Sequence, residues 1–125
     1  IQFYMDKKKP YLIKAIYDWC LNENTTPLLT VRLNGKSVVP IQFINEAEIT
    51  LNISASATNG LSFNENDISF KARFNGIEEY LSIDYIEITA IFSKEDGDGL
   101  LFEVNTNNES SKQNSYKNSH LKVIK

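Results

Sequence analysis

Residue types that carry common enzyme chemistry are scarce in this chain of 125 residues, which has one histidine and one cysteine. A Ser-His-Asp or Cys-His arrangement needs a histidine in the folded domain, whereas His120 lies in a polar segment near the end of the sequence. A zinc site needs about four cysteine or histidine ligands, or about three with a water molecule, and the chain offers only Cys20 and His120. The sequence therefore predicts a protein that is not an enzyme and that holds no metal or cofactor.

Asp96-Gly97-Asp98-Gly99 resembles part of a metal-binding loop. It shares the opening residues of a calcium loop, but the later ligands of an EF-hand do not follow at the required spacing. Glycine next to aspartate is also typical of tight turns. The segment is therefore predicted to be a hairpin turn.

A helix is predicted from Pro10 to about Asn24, because proline suits a first helical turn and apolar residues follow it closely. At about 100° per residue, these apolar side chains cover far more than half of the circumference, and only Lys14, Asp18 and Asn22 form a polar stripe. Such a helix is either sunk into its own domain, or packs one face on the core and the other on a partner subunit. We favour the second arrangement, because a domain this small has little core with which to surround a helix.

The residues from about 27 to 104 follow the pattern of short β-strands. Apolar and polar residues alternate from Glu48 to Ile53 and again from Ile68 to Phe74, which turns one face of each strand towards a core. Asn34-Gly35 and Asn75-Gly76 are turn signals. Short strands at this spacing, after a single helix, predict a mainly β fold of the α+β class with a small twisted antiparallel sheet or an open barrel. Further strands are predicted at residues 28–33, 80–83, 86–92 and 100–102, and a further turn at residues 58–60.

The residues from Asn105 to His120 are mostly asparagine, serine, lysine and threonine. A segment with so little to bury is predicted to be a disordered linker. It is followed by Leu121-Lys122-Val123-Ile124-Lys125, which is apolar and basic. This pentapeptide is either a frayed end or last strand, or a docking motif on a tether, and composition alone leaves both interpretations open.

The formal net charge of the chain is −3. A protein that binds nucleic acid or a membrane surface needs a positive face for phosphate groups, so we expect neither as a partner. A single cysteine excludes an intrachain disulfide and suits a reducing cytoplasm. No apolar run approaches the roughly 18 residues of a membrane span. Residues 1–9 are interpreted as an N-terminal extension in which Met5 looks like a natural start.

Five stretches of the sequence resemble the stringent starvation protein B (SspB) family, in the same order along the chain. The first is the helical segment from Pro10 to Trp19, and the last is the pentapeptide from Leu121 to Lys125. Between them lie Ile49 to Thr58, Phe70 to Gly76 and Ile91 to Glu103. Each stretch alone is a weak signal, whereas the collinear set is a strong one. The resemblance covers nearly the whole chain.

The resemblance implies an Sm-like open β barrel behind the N-terminal helix, and a homodimer formed through that helix. It implies that the protein binds the ssrA degradation tag and delivers tagged polypeptides to the ClpXP protease. Residues 10–104 would be the tag-binding domain, residues 105–120 the linker, and residues 121–125 the tail that docks on the N-terminal domain of the ClpX unfoldase. The expected dimer-interface residues are Tyr11, Ile13, Tyr17, Trp19 and Leu21, and the expected docking residues are Leu121, Lys122, Val123, Ile124 and Lys125.

The tag-binding groove implied by the resemblance is carried by residues 52–57 and 70–74. Small side chains there leave room for a peptide main chain, and an apolar pocket would add affinity. Arg73 is favoured over Lys71 as the partner of tag carboxylates, because relatives in the family commonly have asparagine at the position of Lys71. Core packing is the alternative role for the apolar members, and we expect it for at least half of them. The full set is Asn52, Ile53, Ser54, Ala55, Ser56, Ala57, Phe70, Lys71, Ala72, Arg73 and Phe74.

The alternative function is that of an Sm-like or OB-like nucleic-acid-binding module. Phe70-Lys71-Ala72-Arg73-Phe74 combines aromatic with basic residues, as surfaces that bind single strands do. The negative net charge of the chain counts against this alternative.

Overall fold

The structure, a computed structural model, describes residues 3–103. Two single-turn 3-10 helices, Ile41–Phe43 and Tyr85–Glu87, lie in connections between the larger elements. Those larger elements are the helix α1 (Phe3–Asn22) and the strands β1 (Pro27–Arg32), β2 (Glu48–Asn52), β3 (Asn59–Phe63), β4 (Asp67–Phe74), β5 (Ile77–Asp84), β6 (Ile88–Ser93) and β7 (Gly99–Leu101).

The end of α1 is set by Asn24, whose φ of 58° lies in the left-handed region. The N–H of Thr25 donates to the C=O of Cys20 at 2.9 Å, and the N–H of Asn24 donates to the C=O of Leu21 at 3.2 Å. These two bonds form a Schellman motif, in which asparagine takes the position usually held by glycine. The last helical residue is therefore Asn22, close to the predicted end.

The beginning of α1 differs from the prediction, since the helix starts at Phe3 and Pro10 lies inside it. Proline removes one helical hydrogen bond, so the turn before it needs support from elsewhere. Lys9 supplies such support from a largely buried position. Its ammonium group donates to the C=O of Ile86 at 3.5 Å and lies 5.1 Å from the ring centroid of Phe102. The prediction placed the start of the helix at Pro10 because it used only the local preference of proline for a first helical turn. It could not take these tertiary contacts of Lys9 into account.

The strands form two antiparallel sheets, in the order β2-β1-β6-β7 and β3-β4-β5. The chain enters the second sheet between β2 and β3, and it returns to the first through the 3-10 helix Tyr85–Glu87. An isolated bridge joins Val38 to Ser82 at the free edge of β5. The prediction of a mainly β fold with one N-terminal helix is confirmed. The strands remain in two sheets that are not closed into one barrel.

One hydrophobic core is shared by α1 and the inner faces of both sheets. The alternation predicted for β4 is confirmed, because Ile68 and Phe70 are buried whereas Lys71 and Arg73 are exposed. Full burial of a side chain of this size stabilises the folded state by about 1.5–3 kcal/mol. The buried core residues are Ile13, Tyr17, Leu29, Val31, Leu51, Ile53, Ile68, Phe70, Leu81, Ile83, Tyr85, Ile88 and Ile91.

The turns predicted at residues 75–76 and 96–99 are both present, and each joins two paired strands. Asn75 and Gly76 join β4 to β5 with φ values of 54° and 80°, and a two-residue loop with two positive φ angles is a type I′ turn. Asp96 lies in the turn between β6 and β7, where its carboxylate accepts the N–H of Asp98 at 3.0 Å. Such a bond from a side chain to the backbone two residues later is typical of aspartate in turns.

β3 is a strand that the sequence pattern did not predict, because Asn59-Gly60 has the form of a turn signal. Asn59 pairs with Lys71 and Ser62 pairs with Ser69, so the register shifts by one residue between these pairs. Gly60 lies within this interval and has a φ of 67°. The interval is therefore a β-bulge with a glycine in the left-handed region. The residue that signals a turn in the sequence is a bulge residue in the structure.

Candidate functional site

The two stretches predicted to carry the site meet where β3 begins. The first stretch runs from the end of β2 into the loop of residues 53–58, and this loop leads directly into Asn59. Asn59 pairs with Lys71 on the neighbouring strand β4. The loop and the second half of β4 therefore lie at the same end of the second sheet.

The loop between β2 and β3 is a compact turn held by its own hydrogen bonds. The C=O of Ser54 accepts the N–H of Ala57 at 3.1 Å and the hydroxyl of Thr58 at 2.9 Å. The N–H of Ser54 donates to the side-chain oxygen of Asn52 at 3.0 Å. Ala55 lies at the tip and is exposed. The turn therefore offers a small, largely polar surface beside β4.

The apolar members of the predicted site fall into two groups. Ile53 and Phe70 are 0% and 2% exposed, so they belong to the core and support the site from below. Ala72 and Phe74 pack against the same core but are only half-buried. Core packing is therefore the role of half of this group. Ala72 and Phe74 keep a surface that a ligand can reach.

Phe43 is an aromatic residue at this site that the sequence analysis did not single out. Its ring centroid lies 5.2 Å from that of Phe74, with an angle of 73° between the ring planes, which is a favourable edge-to-face geometry. Ile77 pairs with Phe74 across the hairpin and is 62% exposed. Directly opposed residues share one face of a sheet. Phe43, Ala72, Phe74 and Ile77 therefore form one apolar surface, which we call the apolar rim.

Glu87 is the second residue that the sequence analysis missed. Its side chain is buried, and its carboxylate accepts three backbone N–H groups, from Asn34 and Lys36 at 2.9 Å and from Ser37 at 3.0 Å. A buried carboxylate needs such partners to offset the loss of its hydration. The bonds fix the loop that leads to Phe43. The only signal in the sequence is a glutamate between two isoleucines, Ile86 and Ile88.

Arg73 provides positive charge on the outer face of the second sheet. Its partner in the register is Glu78, but the carboxylate of Glu78 accepts a hydrogen bond from the side-chain amide of Asn59 at 3.3 Å. Within residues 3–103 the one ion pair found joins Lys14 to Asp18. The guanidinium group of Arg73 is therefore exposed and without an ionic partner in the described part of the chain.

The residues predicted for the dimer interface lie on different faces of α1. Ile13 and Tyr17 are buried in the core of their own chain, so the structure corrects their assignment to the interface. Tyr11 is 78% exposed and Leu21 is 42% exposed, whereas Trp19 is half-buried. The periodicity could not separate these groups, because apolar residues surround almost the whole helix. The described part of the chain thus leaves one apolar side of α1 uncovered.

The single thiol of the chain lies away from this site. Cys20 is buried on α1 and forms no disulfide, and burial raises the pKa of its thiol. A raised pKa keeps the thiol protonated and poorly nucleophilic near neutral pH. Among residues 3–103 no cluster of histidine, cysteine, aspartate or glutamate is suited to hold a metal ion. No helix in this range combines the length and apolarity needed to cross a membrane.

A family model described as SspB, stringent starvation protein B, matches residues 7–123. The chain belongs to the stringent starvation protein B family. The resemblance that the five stretches of sequence indicate is thereby confirmed. A curated relative also supports this family membership. The stringent starvation protein B homolog of Haemophilus influenzae is 38% identical to this chain over 104 residues, which are 82% of this chain and 69% of the relative.

The match to the SspB family extends beyond the part of the chain that the structure describes. It ends at residue 123, so it includes Leu121, Lys122 and Val123 of the predicted docking tail. The linker of residues 105–120 and the tail of residues 121–125 lie outside the described residues, and both remain sequence predictions.

Proposed function

We propose that this protein is a proteolytic adaptor that binds ssrA-type degradation tags and delivers tagged polypeptides to the ClpXP protease in the cytoplasm. Membership of the SspB family supports an adaptor function in general. The protein binds and positions the tag without catalysing a reaction, and the unfoldase partner spends the ATP.

The observation that carries this proposal is the surface at the end of β4. The apolar rim presents half-buried Ala72 and Phe74 beside the small-residue turn of residues 53–58. An unfolded peptide loses conformational freedom when it binds, so its site has to offer close main-chain approach and an apolar contact. The small side chain of Ala72 and the aromatic ring of Phe74 meet these two requirements.

Charge at this surface supports a tag with acidic residues. Arg73 and Lys71 are exposed on the outer face of β4, and the neighbouring carboxylate of Glu78 is engaged by Asn59. An exposed charge pair contributes about 0.2–1 kcal/mol, so these cations select among peptides more than they hold them. We assign the larger share of this selectivity to Arg73, which lies closer to the end of the strand than Lys71.

Delivery follows from tethering. In this proposal residues 105–120 are a flexible linker, and residues 121–125 dock on the N-terminal domain of ClpX. A flexible linker of about 16 residues has a root-mean-square span of about 22 Å and a stretched reach of about 50 Å. Tethering raises the concentration of the tag near the pore of the unfoldase without new contacts at the tag.

The outer side of α1 supports a homodimer. Tyr11 is strongly exposed and Trp19 is half-buried, and Leu12 and Ala15 lie near them at helical spacing. The small side chain of Ala15 allows a second helix to approach closely. A dimer carries two grooves and two tails, which multiplies weak contacts. Light scattering at micromolar concentrations measures the mass and tests this part of the proposal.

The proposal as a whole is tested by degradation of a fluorescent reporter. Green fluorescent protein with an ssrA tag is mixed with ClpXP and ATP at a reporter concentration well below KM, with and without the adaptor. Faster loss of fluorescence with the adaptor supports the proposal. The same reporter without a tag is the control and must not respond. An unchanged rate for the tagged reporter contradicts delivery.

A further inference from the structure

Asparagine is followed by glycine at three places in the chain, residues 34–35, 59–60 and 75–76. Such a pair can react with itself in water, because glycine has no side chain to shield its backbone nitrogen from the amide of the preceding asparagine. The nitrogen has to approach the amide carbon to about 3–3.5 Å before a bond can form. The structure holds the three pairs in different ways, so we expect them to react at different rates.

The second sheet protects two of the three pairs. Asn75 has a φ of 54° in the turn between β4 and β5, and the left-handed conformation directs the next backbone nitrogen away from the asparagine side chain. Asn59 pairs with Lys71, and its side-chain amide donates to the carboxylate of Glu78 at 3.3 Å. Each asparagine would have to give up its turn or its pairing before it could react.

The pair of Asn34 and Gly35 lies in the loop after β1, outside all strands. The side chain of Asn34 is exposed and makes no hydrogen bond among residues 3–103. The N–H groups of residues 33 and 38 donate to backbone carbonyl groups, and those of residues 34, 36 and 37 donate to Glu87. From residue 33 to residue 38, only the N–H of Gly35 has no partner in the described part of the chain. The nitrogen that would react is thus the one that the fold leaves unbound.

Gly35 also lets the peptide group between the two residues rotate. Its φ is 87°, and nothing lies within 4 Å of the position that a Cβ atom would take. Glycine adopts positive and negative φ values with similar ease. The bonds from Asn34 and Lys36 to Glu87 hold the two ends of this short segment in place. The unbound N–H can therefore turn towards the side chain of Asn34 without loss of a hydrogen bond.

We propose that Asn34 is a deamidation site, and that its conversion weakens the contacts of Glu87 that fix the loop leading to the apolar rim. The nitrogen of Gly35 loses its proton to solvent and bonds to Cγ of Asn34. The amide nitrogen takes up a proton and leaves as ammonia. One water molecule then opens the resulting succinimide ring. Opening at Cγ gives aspartate, whereas opening at the main-chain carbonyl gives isoaspartate, whose backbone is longer by one carbon atom.

Both products place a new negative charge near a buried one. The backbone nitrogen of Asn34 lies 2.9 Å from Oε2 of Glu87, and like charges at short range repel. The longer backbone of isoaspartate also shifts the N–H of residue 34 relative to those of residues 36 and 37, so the three can no longer point at one carboxylate. The loop then holds Phe43 less firmly against Phe74. The modification itself is independent of the proposed function, whereas its effect on tag binding rests on that function.

Peptide mapping of the full-length protein tests the site. The protein is kept for several days in mildly alkaline heavy-oxygen water, either folded or unfolded in guanidinium chloride. It is then digested in ordinary water, and mass spectrometry measures the labelled acid at each of the three asparagines. The unfolded chain should react at similar rates at all three. In the folded protein, Asn34 should react at least about tenfold faster than Asn59 or Asn75. An equal or slower rate at Asn34 in the folded protein would overturn the proposal.

A second measurement tests the consequence of the modification. Asn34→Gln is the matched control, because its longer side chain keeps the amide but closes a ring much more slowly. After the same storage, the wild type should bind a fluorescent ssrA tag peptide at least about threefold more weakly than this variant does. Its melting temperature should be lower by about 4 °C or more. Fluorescence anisotropy and thermal denaturation measure the two differences.

The outcomes separate this modification from the proposed function. If Asn34 converts but the stored wild type and Asn34→Gln keep the same Kd and melting temperature, the proposed link to Glu87 is wrong. If the fresh protein does not bind the tag, the proposed function is wrong, while conversion at Asn34 together with a lower melting temperature still supports the site and its link to Glu87.

Discussion

The carboxylate of Glu87 accepts the backbone N–H of Ser37 at 3.0 Å, across 50 positions of the sequence. The hydroxyl oxygen of Ser37 in turn accepts the N–H of Asp84 at 3.0 Å, and Val38 pairs with Ser82 immediately afterwards. These contacts fasten the loop after β1 to the end of β5. The same loop continues to Phe43, whose ring touches Phe74 in the apolar rim. A buried carboxylate thus helps to shape a surface that it does not touch.

Removal of the Glu87 side chain should therefore affect both stability and tag binding. Glu87→Ala leaves three backbone N–H groups without their charged acceptor, and we expect the free energy of unfolding to fall by about 2–3 kcal/mol. Urea denaturation measures this loss. Glu87→Gln is the matched control, because it keeps the shape of the side chain and one acceptor oxygen. It should lower the free energy of unfolding by less than Glu87→Ala does. A loss below about 0.5 kcal/mol for Glu87→Ala, typical of a neutral surface change, would show that the loop does not depend on this residue.

Turn chemistry and alternation predicted much of the fold, because both are local. Asn75-Gly76 supplies the two positive φ angles that a type I′ turn needs. The alternation from Ile68 to Phe74 matches the observed burial. Gly60 misled the prediction, because a bulge and a turn both require a left-handed residue and only the partner strand distinguishes them.

The arrangement of the candidate site could be predicted where its residues are adjacent in sequence and not where distant elements meet. Ala72 and Arg73 belong to a stretch that resembles the SspB family, and they lie at the same end of the second sheet as the loop of residues 53–58, which overlaps the other predicted groove stretch, residues 52–57. Phe43 and Glu87 act through contacts with elements far along the chain. Ile13 was assigned to the wrong face of α1, because the helix is apolar on almost all sides and tertiary packing decides which side is buried.

Gly99 should tolerate no side chain. A Cβ atom at this position would overlap the carbonyl oxygen of Ile91 and lie 2.5 Å from the Cα of Phe92, and both are backbone atoms of the paired strand. Gly99→Ala should therefore lower the free energy of unfolding by about 2 kcal/mol or more. Gly97→Ala is the control, because its Cβ meets open space and its φ of 77° is the only source of strain, at about 1 kcal/mol. Thermal denaturation of both variants measures which one loses more stability. A larger loss for Gly97→Ala than for Gly99→Ala would contradict the prediction.

Tyr85 should make the protein less stable at alkaline pH. Burial, with a smaller effect of the nearby charge on Asp67, raises the pKa of Tyr85 to about 12, and its hydroxyl donates to the C=O of Asn64 at 2.7 Å. An unfolded tyrosine ionises near pH 10, so the folded state binds the proton more tightly. The stabilisation is complete below about pH 10 and is lost as the pH rises towards about 12.

Tyr85→Phe tests this pH dependence. The variant loses the hydrogen bond, at about 1 kcal/mol, but it also loses the group that titrates. Its free energy of unfolding, measured by urea denaturation from pH 8 to pH 11, should fall less steeply with pH than that of the wild type. Tyr80→Phe, which alters an exposed tyrosine, should keep the wild-type slope. Parallel curves for the wild type and Tyr85→Phe would show that Tyr85 is not responsible.

Ala72→Gln should block the groove without unfolding the domain. Ala72 is half-buried beside Phe74, so a longer polar side chain can project outwards and occupy the space that a peptide needs. We expect the affinity for a fluorescent ssrA tag peptide to fall at least tenfold, which corresponds to about 1.4 kcal/mol. Arg32→Gln, at an exposed position of β1 in the other sheet, is the control and should bind normally. An unchanged Kd for Ala72→Gln would move the site away from β4.

Deletion of residues 121–125 should separate tag binding from delivery. The residues proposed for the groove all lie within the described residues 3–103, and the tethering mechanism gives the tail no part in tag binding. The shortened protein should therefore bind the tag peptide with the Kd of the full chain, and its melting temperature should not change. It should nevertheless fail to accelerate degradation of the tagged reporter by ClpXP, because the link that raises the local concentration of the tag at the unfoldase is gone. At high concentration it should inhibit delivery by the full-length adaptor, since it occupies tags without presenting them. Loss of tag affinity on deletion would instead mean that the last five residues belong to the binding domain, and the tethering mechanism would then be wrong.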